Sequence, residues 1–131
     1  MEIWKDIKGY EGIYQVSNLG RVKSLARRVI KAYGAEHNLS EKIKSVNSDN
    51  FGYSVIRLHN GSGKTFKVHR LVANAFLGEP NGLEVNHIDG NKSNNNVNNL
   101  EYCTRGENLK HCWDNGLRQF VKPYRNLIKT N

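Results

Sequence analysis

Residues 83–116 constrain the fold more than any other part of the chain. Residues 83–87 alternate apolar and polar side chains, and residues 100–103 form a second short strand candidate. A stretch rich in Asn and Gly separates the two. Thr104 and Glu107 follow directly, spaced as the capping box that opens an α-helix. The segment therefore predicts a strand, a long loop, a strand and a helix that ends at an Asn-Gly pair.

Three polar residues are placed where such a unit would bring them together. His87 ends the first strand pattern, Asn99 opens the second after eleven intervening residues, and Asn108 follows after eight more, in the helix. This spacing resembles that of the HNH family of ββα-metal nucleases. The resemblance implies that His87 is the general base, that Asn99 holds the loop at the catalytic site, and that Asn108 binds a divalent metal.

The same resemblance implies one divalent ion, Mg²⁺ or Mn²⁺. Asn108 would supply one ligand, and Asn86, the residue before the base, would supply the other. Such ions take oxygen ligands and keep several waters, so two protein oxygens suffice. The commonest family pattern has Asp at the second position; Asn86 is neutral, which predicts weaker metal binding. His111, one turn beyond Asn108, either contacts a phosphate or the metal or is an ordinary surface histidine.

The charge balance favours a nucleic-acid partner. The 131 residues include 20 Lys plus Arg against 12 Asp plus Glu, for a net charge of +8. The excess is spread along the chain, and Lys and Arg bind nucleic acid through its phosphates. On charge alone, a basic protein without such a partner is an equal alternative. Together with the resemblance, the charge predicts double-stranded DNA as the partner, and no protein partner is implied.

Cysteine usage and hydropathy bound the cellular setting. Cys103 and Cys112 form no CxxC pair, so no structural zinc is expected. We interpret them as small core residues in a reducing compartment. The N-terminus shows no signal peptide, and no apolar run approaches membrane-spanning length. We therefore expect a cytoplasmic protein without a membrane partner, and the resemblance implies a phage or mobile element as its source.

A second resemblance lies at the N-terminus. Residues 4–22 follow the pattern W-x-x-I-x-G-Y-E-G-x-Y-x-V-S-N-x-G-R-V. It resembles a modular motif that accompanies phage and intron-encoded nucleases, which implies DNA binding. Its apolar positions predict a small sheet, and the alternative is that the motif does nothing more than build that sheet. We expect both, with the basic residues facing outward to phosphates: Arg21, Lys23, Arg27 and Arg28.

Strand patterns follow in the middle of the chain. Residues 51–58 and 64–68 alternate as two strands around a predicted turn at 59–63. The Gly-Lys-Thr run inside this stretch looks like the end of a phosphate-binding loop. The glycine that such a loop needs five residues earlier is Leu58, so we interpret the run as part of a hairpin.

One helix is predicted over residues 69–77, which have helical apolar spacing. In the resembled family a similar helix packs just before the ββα unit. Its Arg70, together with Arg105 in the final helix, completes the predicted DNA-binding set. His69 is interpreted as a partly buried structural residue.

The predicted fold class is α+β, with a small N-terminal antiparallel β module followed by a helix and a ββα-metal unit. We expect a β-rich DNA-binding module in residues 1–60, a nuclease unit in 64–116 and a basic tail in 117–131. The leading functional hypothesis is a metal-dependent DNA endonuclease of homing type. The alternatives are a DNA-binding protein of the same fold that cleaves weakly or not at all, and an RNA- or ribosome-associated basic protein.

Overall fold

Short strands make up most of the fold, because turns that contain glycine interrupt the chain at close intervals. A computed structural model describes the backbone of residues 1–114 and the side chains of residues 1–110. The predicted helix stop and the tail at 117–131 lie outside the described residues. In chain order the strands and helices are β1 (Trp4–Asp6), β2 (Tyr14–Ser17), β3 (Val22–Ser24), β4 (Arg27–Ile30), β5 (Glu36–Leu39), β6 (Lys42–Ile43), β7 (Asn47–Ser48), β8 (Ser54–Asn60), β9 (Ser62–Lys67), α1 (Val68–Phe76), β10 (Glu84–His87), β11 (Leu100–Cys103) and α2 (Arg105–Asp114).

The N-terminal strands form an antiparallel sheet in the order β1-β2-β3-β6. The turn between β2 and β3 is fixed by Ser17, whose hydroxyl oxygen accepts the backbone N–H groups of Leu19 at 3.2 Å and Arg21 at 3.1 Å. Gly20 in this turn has φ +89°, a conformation that side-chain-bearing residues rarely adopt. The small β module predicted from the sequence is confirmed.

The middle of the chain forms a three-stranded sheet in the order β7-β8-β9. The predicted five-residue turn at 59–63 is wrong, because the ladder continues until only Gly61, at φ +86°, remains at the tip. The preceding strand begins at Ser54, later than predicted, because the Asp49 side chain accepts the N–H of Tyr53 at 3.0 Å and holds a turn there. The Gly-Lys-Thr run lies within β9, as a hairpin requires.

One cluster of buried side chains joins the two halves of the chain. It receives residues from β2 and β3, from β8, from α1 and from β11, so the N-terminal sheet and the later strands share a core. Helix α1 contributes Val68, Leu71 and Val72, which lie on one face of the helix. The buried members are Ile7, Tyr14, Val16, Val22, Ile56, Leu58, Val68, Leu71, Val72 and Leu100.

The C-terminal part of the described chain is a strand, a long loop, a strand and a helix, as predicted. Strands β10 and β11 pair antiparallel, with His87 opposite Leu100. Helix α2 opens on the predicted capping box: the Glu107 N–H donates to the Thr104 hydroxyl at 3.1 Å, and the Thr104 N–H donates to the Glu107 carboxylate at 2.8 Å. No helix among the described residues is long and apolar enough to cross a membrane.

Candidate active site

His87 is the last residue of β10, and its side chain is buried at 5% exposure. Its Nε2 lies 2.8 Å from Oδ1 of Asn95. Because an amide oxygen can only accept a hydrogen bond, Nε2 carries the hydrogen and the neutral ring keeps its lone pair on Nδ1. This tautomer leaves Nδ1 as the atom that can take a proton from a water molecule.

Other rings surround His87 on the side of α1. The ring centre of His69 lies 4.9 Å away, and that of Tyr53 lies 6.1 Å away. Burial lowers the pKa of His87, and the hydrogen bond with Asn95 opposes that effect in part. His87 is therefore neutral at pH 7, which is the protonation state that a general base needs.

His69 lies deeper than the partly buried position predicted for it, at 4% exposure. Its ring stacks on Tyr53 with 5.1 Å between centres. Within the described part of the chain, its Nδ1 is the one buried side-chain nitrogen or oxygen atom without a hydrogen-bond partner. Burial, followed by the proximity of His87, lowers the pKa of His69 to about 3. The two histidines form a neutral pair, in which a proton on one opposes a proton on the other.

Asn95, the partner of His87, is a site residue that the sequence pattern does not single out. It belongs to the Asn-rich loop at 91–99, yet it is only 6% exposed. The turn between β2 and β3 packs closely against Asn95, because a Cβ added at Gly20 would lie only 2.9 Å from the Asn95 Cβ. The Val97 N–H also donates to the Asn18 carbonyl at 2.8 Å. The turn between β2 and β3 thus supports the residue that holds His87.

Asn99 ties the two ends of the same loop together. Its Oδ1 accepts the Asp89 backbone N–H at 3.0 Å, and its Nδ2 donates to the Asp89 carboxylate at 2.9 Å. The second carboxylate oxygen of Asp89 accepts from Asn94 at 2.9 Å, and this bond is the largest cause of the lowered pKa of Asp89. Asp89 is engaged within the loop, so it does not supply the charge that Asn86 lacks. The predicted role of Asn99 in catalysis stays a prediction.

The two predicted metal ligands each donate a hydrogen bond from their amide nitrogen to a carboxylate. Nδ2 of Asn86 donates to Glu101 at 2.9 Å, and Nδ2 of Asn108 donates to Glu84 at 3.1 Å. These bonds leave both amide oxygens, the atoms that a hard cation prefers, for other partners. The side chain of His111, the secondary candidate, lies outside the described residues.

Strand β10 separates the candidate base from the candidate metal ligands. Consecutive side chains of a strand point to opposite faces. Glu84 and Asn86 therefore share one face, and His87 lies on the other. Helix α2 reaches the first face through Asn108, and helix α1 reaches the second through His69.

A polar cleft of about 510 Å³ brings the two faces together along β10. Among the described strands, β10 pairs only with β11, so its other edge is available to line a cleft. The lining includes Glu84, Val85 and Asn108, together with His69, Arg70 and Lys67. His87 and Asn86 are neighbours of Glu84 and Val85 on β10, do not themselves line the cleft, and are each 5% exposed.

The donor chemistry of this site fits a hard divalent cation. Asn86 and Asn108 offer amide oxygens, which suit Mg²⁺ or Mn²⁺ better than the soft ions that thiolates select. Within the described residues, no three His, Cys, Asp or Glu side chains cluster as a metal cage. A cation at this site would rely on two protein oxygens, on waters and on the substrate.

Two of the predicted DNA-binding residues flank the ring of Trp4. The Lys23 ammonium lies 4.4 Å from the ring centre, and the Arg21 guanidinium lies 5.6 Å from it. Arg21 also pairs with Glu2, and Lys23 lies 3.7 Å from Glu41. Both cations are therefore held in place by neighbours, and their contact with phosphates stays a prediction.

The other predicted DNA-binding residues differ in how exposed they are. Arg27 is partly buried, and its Nη1 donates to three oxygens of its own module. The side chains of Arg28 and Arg105 are 65% and 67% exposed, and each lies 3.6 Å from a glutamate, Glu36 for Arg28 and Glu84 for Arg105. Arg70 is exposed and lines the cleft. Arg70 is thus the member of the set best placed to meet a phosphate in the cleft.

Comparison with known proteins assigns each half of the chain. The NUMOD4 motif matches residues 2–59, and the HNH endonuclease family matches residues 66–110. DNA endonuclease I-HmuI of Bacillus phage SP01 is 44% identical over 116 residues, which covers 86% of this chain and 59% of that protein. An uncharacterized HNH endonuclease, L245, of Acanthamoeba polyphaga mimivirus is 33% identical over 120 residues, or 91% of this chain and 32% of that protein.

The fold agrees with these matches. A solved structure that describes DNA binding and cleavage by the HNH homing endonuclease I-HmuI superposes with a TM-score of 0.73. The two chains are 42% identical, and the superposition covers 94% of this chain and 64% of the other. This chain thus spans about 59% of the length of I-HmuI as a whole. The chain therefore contains an HNH endonuclease domain at residues 66–110 and an N-terminal NUMOD4 motif at residues 2–59.

Proposed function

We propose that this protein hydrolyses a phosphodiester bond of double-stranded DNA as a metal-dependent endonuclease of homing type. The observation that carries the proposal is the arrangement around β10. A neutral histidine has its Nδ1 lone pair available, and the residue before it is an amide that can hold a cation. The HNH endonuclease match over residues 66–110 supports this assignment, and the relative I-HmuI is a DNA endonuclease.

In the proposed reaction His87 is the general base. Its Nδ1 accepts the proton of a water molecule, the resulting hydroxide oxygen bonds to the phosphorus, and the bond from the phosphorus to the 3′ oxygen breaks. The hydrogen bond from Nε2 to Asn95 keeps the ring in the required tautomer and orientation while the proton moves. Burial keeps the ring neutral before the reaction, because it lowers the pKa of His87.

We propose that Asn86 and Asn108 hold one divalent ion, Mg²⁺ or Mn²⁺, through their amide oxygens. When bound, such an ion stabilises charge on the phosphate and on the leaving 3′ oxygen. Members of the family typically use a divalent metal. The scissile phosphate would enter through the polar cleft, where Lys67 and Arg70 add positive charge.

We also propose that different parts of the chain bind the DNA and cut it. Residues 1–60 bind DNA, residues 64–116 cut it, and the basic tail at 117–131 adds charge. Arg28 and Arg70 supply exposed cations, and Arg21 and Lys23 supply cations held against Trp4. Binding through such cations weakens with salt, with log K falling by about 0.9 per neutralised phosphate for each unit of log salt.

The experiment that tests the proposal is nicking of supercoiled plasmid in Mg²⁺ or Mn²⁺. The parent protein should produce nicked or linear DNA, and His87→Ala should lower the rate by about 10²–10⁴-fold, as removal of a general base does. DNA binding should be nearly unchanged, because the imidazole acts on water. His37→Ala, at an exposed histidine of β5, is the matched control. A His87→Ala protein that cuts as fast as the parent would remove His87 from the site.

A second candidate function is DNA binding without efficient cleavage. The observation that favours it is Asn86, which gives the site a neutral ligand in place of the commoner carboxylate. In that case the parent would shift a DNA duplex in a gel but would leave plasmid intact at every concentration of either metal. The plasmid assay separates the two candidates directly.

A further inference from the structure

Two carboxylates that no sequence pattern selects are bonded to the two candidate metal ligands. Glu101 accepts from Nδ2 of Asn86 at 2.9 Å, and Glu84 accepts from Nδ2 of Asn108 at 3.1 Å. Each candidate ligand thus has its own carboxylate. The bond between Asn86 and Glu101 joins β10 to β11, and the bond between Asn108 and Glu84 joins α2 to β10.

These bonds determine which end of each amide points toward a cation. An ionised carboxylate can only accept, so it must face the NH₂ end of an Asn side chain. The oxygen end then points elsewhere. Without such a partner, an amide can turn by 180° and present its nitrogen, which repels a cation.

The four side chains lie on one face of the hairpin. Glu84 and Asn86 are two residues apart on β10, so their side chains point to the same side. Glu101 lies directly opposite Asn86 in the strand register and therefore shares that side. Asn108 reaches the same group from α2 through its bond to Glu84. Two carboxylates therefore surround two neutral candidate ligands.

We infer that Glu84 and Glu101 are positioning residues for the proposed metal site. Each carboxylate orients the amide oxygen of one ligand toward the cation, and together they supply the negative charge that Asn86 lacks. This inference rests on the proposed function. Glu84 has a further partner, Arg105 at 3.6 Å, which offsets part of its negative charge.

The test compares Glu84→Gln and Glu101→Gln with the parent in two assays on the full chain. Binding of Mn²⁺ to the protein without DNA is followed by electron paramagnetic resonance of the free ion, and plasmid nicking is measured across a metal titration. Changes to partners of metal ligands typically cost about 10–100-fold in metal affinity or activity. Each variant should need about 10–100-fold more metal in both assays.

Two further variants separate positioning from a purely structural role. Glu→Gln keeps an oxygen that can accept the amide hydrogen, so the nicking rate at saturating metal should approach that of the parent. Glu101→Ala also removes the acceptor, so the rate should fall even at saturating metal. Glu79→Gln makes the same charge change at an exposed position and should leave both metal curves unchanged.

The outcomes distinguish the positioning role of Glu84 and Glu101 from the proposed function. Metal curves of Glu84→Gln and Glu101→Gln that superimpose on those of the parent would overturn the inference and leave the proposed function intact. A thermal melt checks folding, and a variant that melts with the parent but loses rate without any shift in metal requirement would also overturn it. A parent that neither binds Mn²⁺ nor nicks plasmid would overturn the proposed function itself.

Discussion

The two faces of β10 differ in the ionisable side chains that lie against them. On the α1 side, His87 and His69 are buried beside Tyr53, and burial lowers both of their pKa values. On the α2 side, Asn86 is bonded to Glu101 and Asn108 is bonded to Glu84, which also lies 3.6 Å from Arg105. The first face disfavours protonation of its two imidazoles, and the second offers amide oxygens and carboxylates to a cation.

This contrast follows from the two tasks that the proposed reaction sets. A general base must remain unprotonated, and a low-dielectric environment favours the neutral imidazole. A cation site needs oxygen atoms and nearby negative charge. A carboxylate beside the base would instead raise its pKa. Strand alternation meets both needs within neighbouring residues, because Asn86 and His87 point to opposite sides.

After His87 itself, the largest expected effect on the base side comes from Asn95. Asn95→Ala removes the acceptor that fixes the His87 tautomer, and the nicking rate should fall by about 10–100-fold, as for other orienting partners. Asn95→Asp should instead raise the pKa of His87, because a carboxylate stabilises the imidazolium. Its activity should therefore be lost at a higher pH than that of the parent as the pH falls. Identical pH–rate profiles for the parent and Asn95→Asp would separate Asn95 from the base.

On the metal side the expected effect is on the metal requirement, because the substrate and waters share the coordination. Asn86→Ala should raise the metal concentration for half-maximal nicking by about 10–100-fold, no less than Glu101→Gln, which acts through Asn86. Asn86→Asp adds a charge against the ion and should lower that concentration. Superimposable metal curves for the three proteins would leave Asn108 as the only protein ligand.

The smallest effect concerns the stability of the histidine pair. The pKa of His69 is about 3 in the folded protein, against 6.5 for the group in an ordinary setting. Between these values the unfolded chain binds the extra proton, so the free energy of unfolding should fall as pH drops below 6.5, by at most about 1.4 kcal/mol per pH unit from this group.

Urea unfolding between pH 7.5 and 5 measures this slope before most carboxylates titrate. His69→Phe should flatten it, and some slope should remain because burial also lowers the pKa of His87. His37→Phe, at an exposed position, should leave it unchanged. Equal slopes for the parent and His69→Phe would show that His69 is not held neutral by burial.

The parts of the site that could be predicted from the sequence are those encoded by local patterns. The capping box at Thr104 and Glu107 and the alternation before His87 depend on residues close in the chain, and the structure confirms the ββα unit. The hairpin turn is narrower than the predicted range 59–63, because strand pairing overrode the turn propensity of its Asn, Gly and Ser residues.

The supporting residues depend on contacts between distant parts of the chain. Asn95 stands in a run of similar asparagines, and its burial results from the approach of Gly20 in the N-terminal sheet. Glu101 has the appearance of an ordinary exposed strand residue until the register places it opposite Asn86. The resemblance to the HNH family therefore located the candidate base and ligands, and only the tertiary structure located the residues that orient them.

The separation of tasks between the two faces is tested most directly by a metal titration of the nicking rate for His87→Ala and Asn108→Ala. The account predicts that His87→Ala lowers the maximal rate by about 10²–10⁴-fold without moving the half-saturating metal concentration. Asn108→Ala should move that concentration upward by about 10–100-fold. A half-saturation point that shifts in His87→Ala as far as in Asn108→Ala would make His87 a metal ligand and contradict the account.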